Sequence, residues 1–136
     1  MDDSFLARLP MGEDLLDSIT HEFTKRMIWK ADFRVIGAVT SAVLGYYDPE
    51  TREYRNSEFK GQFEIVACIG NVSQKDEKIF VHAHIVLSGQ DYLCFGGHLM
   101  AGTKIFAAEL SASPIAGALP RREFDPSTGL ALWSPD

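Results

Sequence analysis

The chain has 136 residues, 46% of them hydrophobic and 24% charged, with 13 Lys and Arg against 19 Asp and Glu for a net charge of −6. That length suits one domain with a real core, here expected to end in an extended C-terminal tail over 113–136. The composition excludes a disordered, collagen-like or coiled-coil chain. No apolar run approaches the ~20 residues of a bilayer span, and the acidic balance lacks the basic footprint of a nucleic-acid-binding domain.

Residues 1–12 read as a lead-in. Met1-Asp2-Asp3-Ser4 is acidic and is followed by no long apolar stretch, the opposite of a secretory signal, so a cytoplasmic location is expected. From Glu13 to Lys30, the residues Leu15, Leu16, Ile19, Phe23 and Met27 recur at helical spacing. Glu13, Asp14 and Asp17 at its start and Lys25, Arg26 and Lys30 at its end complement the helix dipole. After Asp32 the texture becomes β-branched, small and aromatic, and Val35–Tyr47 predicts a long strand with glycine bends. Asp48-Pro49-Glu50-Thr51 is a turn, because proline presets φ and Asp48 can accept a hydrogen bond from the backbone ahead of it.

Tyr54–Asn56 is read as a short returning strand and Phe63–Val72 as the next one. Further strands are expected at Ile79–Leu87, Tyr92–Phe95 and Lys104–Ser111, separated by turns at Gln74–Glu77, Ser88–Asp91 and the glycine-rich Gly96–Gly102. One principal N-terminal helix followed by hairpin-linked strands predicts an α+β domain with a mainly antiparallel sheet. Leu130, Leu132 and Trp133 could dock the tail. Cys68 and Cys94 lie in strand-like runs and are expected to be buried free thiols.

Three of the four histidines fall in one region. His82 and His84 flank Ala83, and alternate residues of a strand share a face ~7 Å apart. Two imidazoles so placed can converge on one ion, and His98, one hairpin later, could join them. The competing reading is three polar side chains on a solvated sheet face. Glu64 and Glu109, the acids embedded in strand-like runs, could supply a fourth ligand or a general base, but each also reads as a surface group. His21 reads as an exposed helix residue. Gly97–Lys104 imitates a phosphate loop in its glycine spacing, yet Thr103 and Lys104 stand in reversed order and a strand follows, so a tight turn with glycines at positive φ is expected instead. None of Ser41, Ser73, Ser88 and Cys94 lies in a nucleophile-elbow pattern.

Read together, the ordered pieces Leu9 with Gly12-Glu13-Asp14-Leu15, Ile36-Gly37-Ala38-Val39, Leu44-Gly45-Tyr46-Tyr47-Asp48, Gly61-Gln62-Phe63-Glu64-Ile65, Gly70-Asn71-Val72-Ser73, His82-Ala83-His84 and Gly96-Gly97-His98-Leu99 resemble the PPC (plants and prokaryotes conserved) domain. The resemblance covers about residues 8–112 and corresponds to the stand-alone prokaryotic type. It implies an α+β fold around a central antiparallel sheet, a homotrimer, and a metal site at His82, His84 and His98 for zinc or another divalent transition metal. Gly61, Gln62, Phe63, Glu64, Ile65 and Val66 are similar to the plant Gly-Arg-Phe-Glu-Ile-Leu segment, which is tied to interaction with transcription regulators. Here Gln62 replaces the arginine. The plant proteins bind AT-rich DNA through a separate Arg-Gly-Arg-Pro hook, and the sole adjacent arginine pair of this chain, Arg121-Arg122, lacks the glycine. A DNA-binding, transcription-associated role therefore comes with the family and not from the charge.

Three functions follow. The first is a trimeric, metal-binding interaction or ligand-binding module with regulatory protein partners. The second is a zinc-dependent enzyme acting on a small molecule through the three histidines. The third is direct DNA binding by a trimer through Lys25, Arg26, Lys30 and Arg34, which the acidic charge disfavours.

Overall fold

Buried and exposed residues alternate along much of an 18-residue strand, Ala31–Asp48, which is the spine of the sheet. The computed structural model describes residues 3–135; Met1 and Asp2 of the acidic N-terminus, and Asp136, lie outside them. In chain order the elements are β1 (Phe5–Leu9), α1 (Leu15–Lys25), β2 (Ala31–Asp48), β3 (Glu53–Lys75), β4 (Lys78–Ser88), β5 (Cys94–Leu99), β6 (Lys104–Pro114), β7 (Arg122–Phe124) and β8 (Ala131–Trp133).

Six strands form one sheet in the order β1-β6-β2-β3-β4-β5. A second meeting of β2 with β5, Leu44 opposite Leu99 and Gly45 opposite His98, closes it into a barrel. All the pairings are antiparallel, as the α+β reading expects. Closure requires bends, and register shifts in β2 between Val35 and Gly37 and between Val39 and Ser41 provide them. Gly37 is obligatory at the first: its φ is +147° and an added Cβ would lie 2.0 Å from the carbonyl oxygen of Ala107.

Val81, Ala83, Ile85 and Leu87 of β4 face the core, where they meet Val39, Leu44, Ile65, Leu99 and Ile105. Helix α1 seals this core with Leu15, Ile19 and Phe23, and the Phe23 ring lies 5.8 Å from Phe5 and 5.7 Å from Phe33. The Asp14 carboxylate caps the helix by accepting from the Asp17 amide at 2.9 Å.

Several expectations are corrected. The helix stops at Lys25, not Lys30, because Met27 adopts φ +57°; Met27 is consequently 78% exposed instead of lying on the apolar face. The lead-in contains strand β1, paired along β6. Tyr54–Asn56 and Phe63–Val72 belong to one 23-residue strand, β3, since β2 pairs with it without a break in strand from Glu53 to Val72. The tail carries the β7–β8 hairpin. Cys94 is exposed, at the start of an edge segment, whereas Cys68 is buried and its thiol is pushed up to about 12 by burial. No helix among the described residues is long and apolar enough to cross a membrane.

Candidate metal centre

On β4 the side chains that do not enter the core point to the outer wall of the barrel, and His82 and His84 are two of them. Strand β5 pairs beside β4 with His98 directly opposite His84. That register depends on the glycine pair expected as a bend. Gly96 and Gly97 lie within β5, and a Cβ on Gly96 would come 2.4 Å from the Ile85 carbonyl oxygen. Close backbone approach, not positive φ, is what these two glycines supply; Gly102, at φ +105°, is the one in the turn that follows.

The three rings gather at one spot. Their centroids are 5.1 Å (His82–His84), 4.9 Å (His82–His98) and 5.5 Å (His84–His98) apart. One nitrogen from each lies within 4.8 Å of the others. Tetrahedral coordination at zinc–nitrogen bonds of 2.0–2.1 Å requires donors about 3.3 Å apart, a contraction that small ring rotations about χ1 and χ2 can supply. The donor chemistry fits as well. Burial, then the neighbouring His98, Arg122 and His84, lowers the His82 pKa to about 4, and burial lowers that of His98. Both rings are therefore neutral at pH 7, the form that coordinates a metal.

Glu64 and Glu109 are outside the cluster, and among the described residues the group contains no carboxylate. Glu64 is exposed on β3 opposite Ser88, four residues along β4 from His84, and Glu109 sits on β6 opposite Arg8. His21 is exposed on α1, as expected. Gly61 to Val66 lie in mid-β3: Gln62, Glu64 and Val66 are exposed, Ile65 enters the core, and Phe63 packs edge-on against Phe95 at 5.2 Å.

Two neighbours of the histidines were not legible as site residues. The Tyr54 ring lies tilted beside that of His98, with centroids 4.9 Å apart. Arg122, from the tail, donates to Ser73 Oγ, Asn71 Oδ1 and the Ala131 carbonyl, each at 3.1 Å, and its NH2 group lies 3.4 Å from His82 Nδ1. Arginine has no acceptor atom, so His82 Nδ1 presents its lone pair to the guanidinium. The aromatic faces of Phe80 and Trp133 sandwich that guanidinium at 5.3 and 5.0 Å. The signal in the sequence is Asn71 and Ser73, polar residues two apart in an apolar strand; they face the arginine. Leu130 and Leu132 dock the hairpin, as expected, and help line a cleft of about 150 Å³ beside His82 and His98.

A small closed β-barrel sealed by one helix, with a histidine cluster on its outer wall, defines the class of protein. The chain belongs to the Plants and Prokaryotes Conserved (PCC) domain family, whose model matches residues 1–115. Among solved structures it is similar to a metal-containing protein of Archaeoglobus fulgidus (44% identity, 98% of this chain and 94% of that one, TM-score 0.92). It is also similar to a plant- and prokaryote-conserved protein of Pyrococcus horikoshii (36% identity, 99% and 95% covered, TM-score 0.92). A Bacteroides thetaiotaomicron protein named as a candidate DNA-binding protein shares the fold at 23% identity (97% and 92% covered, TM-score 0.90). No protein of curated function matches the chain.

Proposed function

We propose that this PPC protein is a homotrimeric, cytoplasmic metal-binding module in which His82, His84 and His98 hold a divalent transition ion, zinc first. The convergence of three imidazole nitrogens within 4.8 Å carries this reading, and the name of the 44%-identical archaeal relative, a metal-containing protein, supports it. Imidazole donors suit zinc, copper and nickel, and three protein ligands leave a coordination position open. Bound there, zinc would supply Lewis acidity and a water of lowered pKa.

The assembly is favoured by the outer wall of the barrel, where Ile36, Val66, Ile69, Val86 and Phe106 are all exposed apolar residues. Exposed Gln62, Glu64 and Val66 offer a contact edge for a regulatory protein partner. Direct DNA binding is disfavoured by more than net charge. Lys25 and Arg26 both pair with Glu22, and Lys30 donates to the Ala116 carbonyl, so most of the expected basic face is engaged internally.

The second reading, a zinc-dependent enzyme, is favoured by the cleft that opens beside His82 and His98. In it Tyr54 and Arg122, not Glu64 or Glu109, would orient a substrate. Elemental analysis of the purified protein tests the metal: one equivalent per chain is expected, and none after incubation with zinc overturns it. Light scattering tests the assembly, with a mass near three times 15.1 kDa expected and a monomer refuting it.

A further inference from the structure

The cleft beside the histidines is electropositive in an acidic chain. Arg122 and Lys75 both line it, and among the described residues no carboxylate does. Neither cation forms an ion pair among the described residues; Lys75 instead lies over the Phe80 ring at 5.0 Å. A guanidinium withdrawn from water without a counter-charge is costly unless something anionic visits it.

Its donors are arranged to receive such a visitor. Four of the five N–H groups are engaged, by Ser73, Ala131, Asn71 and His82 Nδ1. The first three hold the fork rigidly. The fourth contact, at 3.4 Å, is the weakest, and it is made to a ring nitrogen of His82, one of the three clustered histidines. A metal held through Nδ1 would free that N–H, so that two unengaged donors would remain on a guanidinium that lines the same cleft as His82 and His98. A carboxylate matches a guanidinium fork and is a metal ligand in its own right. The remaining walls, Phe80, Leu130 and Leu132, are apolar. A cavity of about 150 Å³ is the size of one that accepts benzene, about six non-hydrogen atoms.

We propose that the cleft between β4 and the β7–β8 hairpin binds a small monocarboxylic acid, its carboxylate between Arg122 and the metal held by His82, His84 and His98, and its short apolar body against Phe80, Leu130 and Leu132. The proposal rests on the metal-binding reading above. Arg122 is the specificity residue and Lys75 adds attraction at the mouth.

The test uses the full chain loaded with cobalt(II), whose visible bands report its coordination, titrated with isobutyrate and, in parallel, with neutral isobutyramide and inorganic phosphate. Isobutyrate is expected to change the bands saturably, with a Kd of about 1 mM, and isobutyramide to leave them unchanged. Arg122→Met should weaken binding by about tenfold or more. Lys75→Met, which lies outside the hairpin and so tests the cleft should Arg122→Met fail to dock it, should weaken binding about threefold. Cobalt bound at one equivalent with no response to isobutyrate overturns the carboxylate site and leaves the metal site standing. No cobalt bound overturns both. A response to phosphate alone overturns the choice of carboxylate, and unchanged affinity in both variants overturns the role of the cleft.

Discussion

Replacing His84 with Ala would remove one of the three donors of the proposed metal site and should leave the metal-free protein nearly untouched. His84 is exposed on the outer wall, and no hydrogen bond or ion pair among the described residues holds it, so its loss should change the apo stability by no more than about 0.5 kcal/mol. The metal-dependent part is different. A ligand that binds only the folded chain stabilises it by RT ln(1 + [L]/Kd), about 2.7 kcal/mol at a hundredfold excess over Kd. For a chain between 100 and 150 residues, 1 kcal/mol moves Tm by about 4 °C, so zinc should raise the wild-type Tm by about 10 °C. Two remaining imidazoles cannot complete the site, and the His84→Ala protein should show a shift of about 2 °C or less at the same zinc concentration. Differential scanning calorimetry with chelator and with zinc measures both. An equal zinc shift in the two proteins would refute convergence of the three rings on one ion, and a large apo difference would refute the claim that His84 has no structural role.

Stability should also fall with acid between pH 6.5 and about 4. His82 has a folded pKa of about 4, below its usual 6.5, so the unfolded chain binds more protons in that window and gains on the folded one as pH drops. The half-exposed ring limits the effect to about 1–2 kcal/mol, and His82→Asn should flatten the urea midpoint measured from pH 7.5 to 4.5. Gly96→Ala should force β5 away from β4, since its Cβ would meet the Ile85 carbonyl at 2.4 Å. The expected result is a metal stoichiometry reduced along with His84–His98 alignment, and full metal content would show that the strand register tolerates the side chain. Finally, Ellman's reagent should label one thiol of the native protein, exposed Cys94, with buried Cys68 reacting only on denaturation; two fast thiols would contradict the packing around Cys68.

Local chemistry made much of this molecule readable in one dimension. Helix α1 shows in the spacing of Leu15, Ile19 and Phe23, and in Asp14 placed to cap it. The turn at Asp48 shows in Asp-Pro, and its carboxylate does accept from the Glu50 amide at 2.9 Å. The period of two in β4 puts Val81, Ala83, Ile85 and Leu87 inside, and hence His82 and His84 outside. These features depend on residues a few positions apart, which is why patterning reveals them. The position of His98 does not. It depends on β5 running through Gly96-Gly97, on the bulges that bend β2, and on the barrel closing so that Gly45 meets His98. Arg122 is further removed: it reaches His82 because a hairpin 40 residues later lands on Asn71 and Ser73. Composition and periodicity thus determined the α+β class, the core face of β4 and the two-histidine pair. Barrel closure and the docking of β7–β8 decided which third imidazole joins the pair and which cation guards it, because contacts between distant strands are set by the summed packing of the whole sheet and leave no mark in any short stretch of chain.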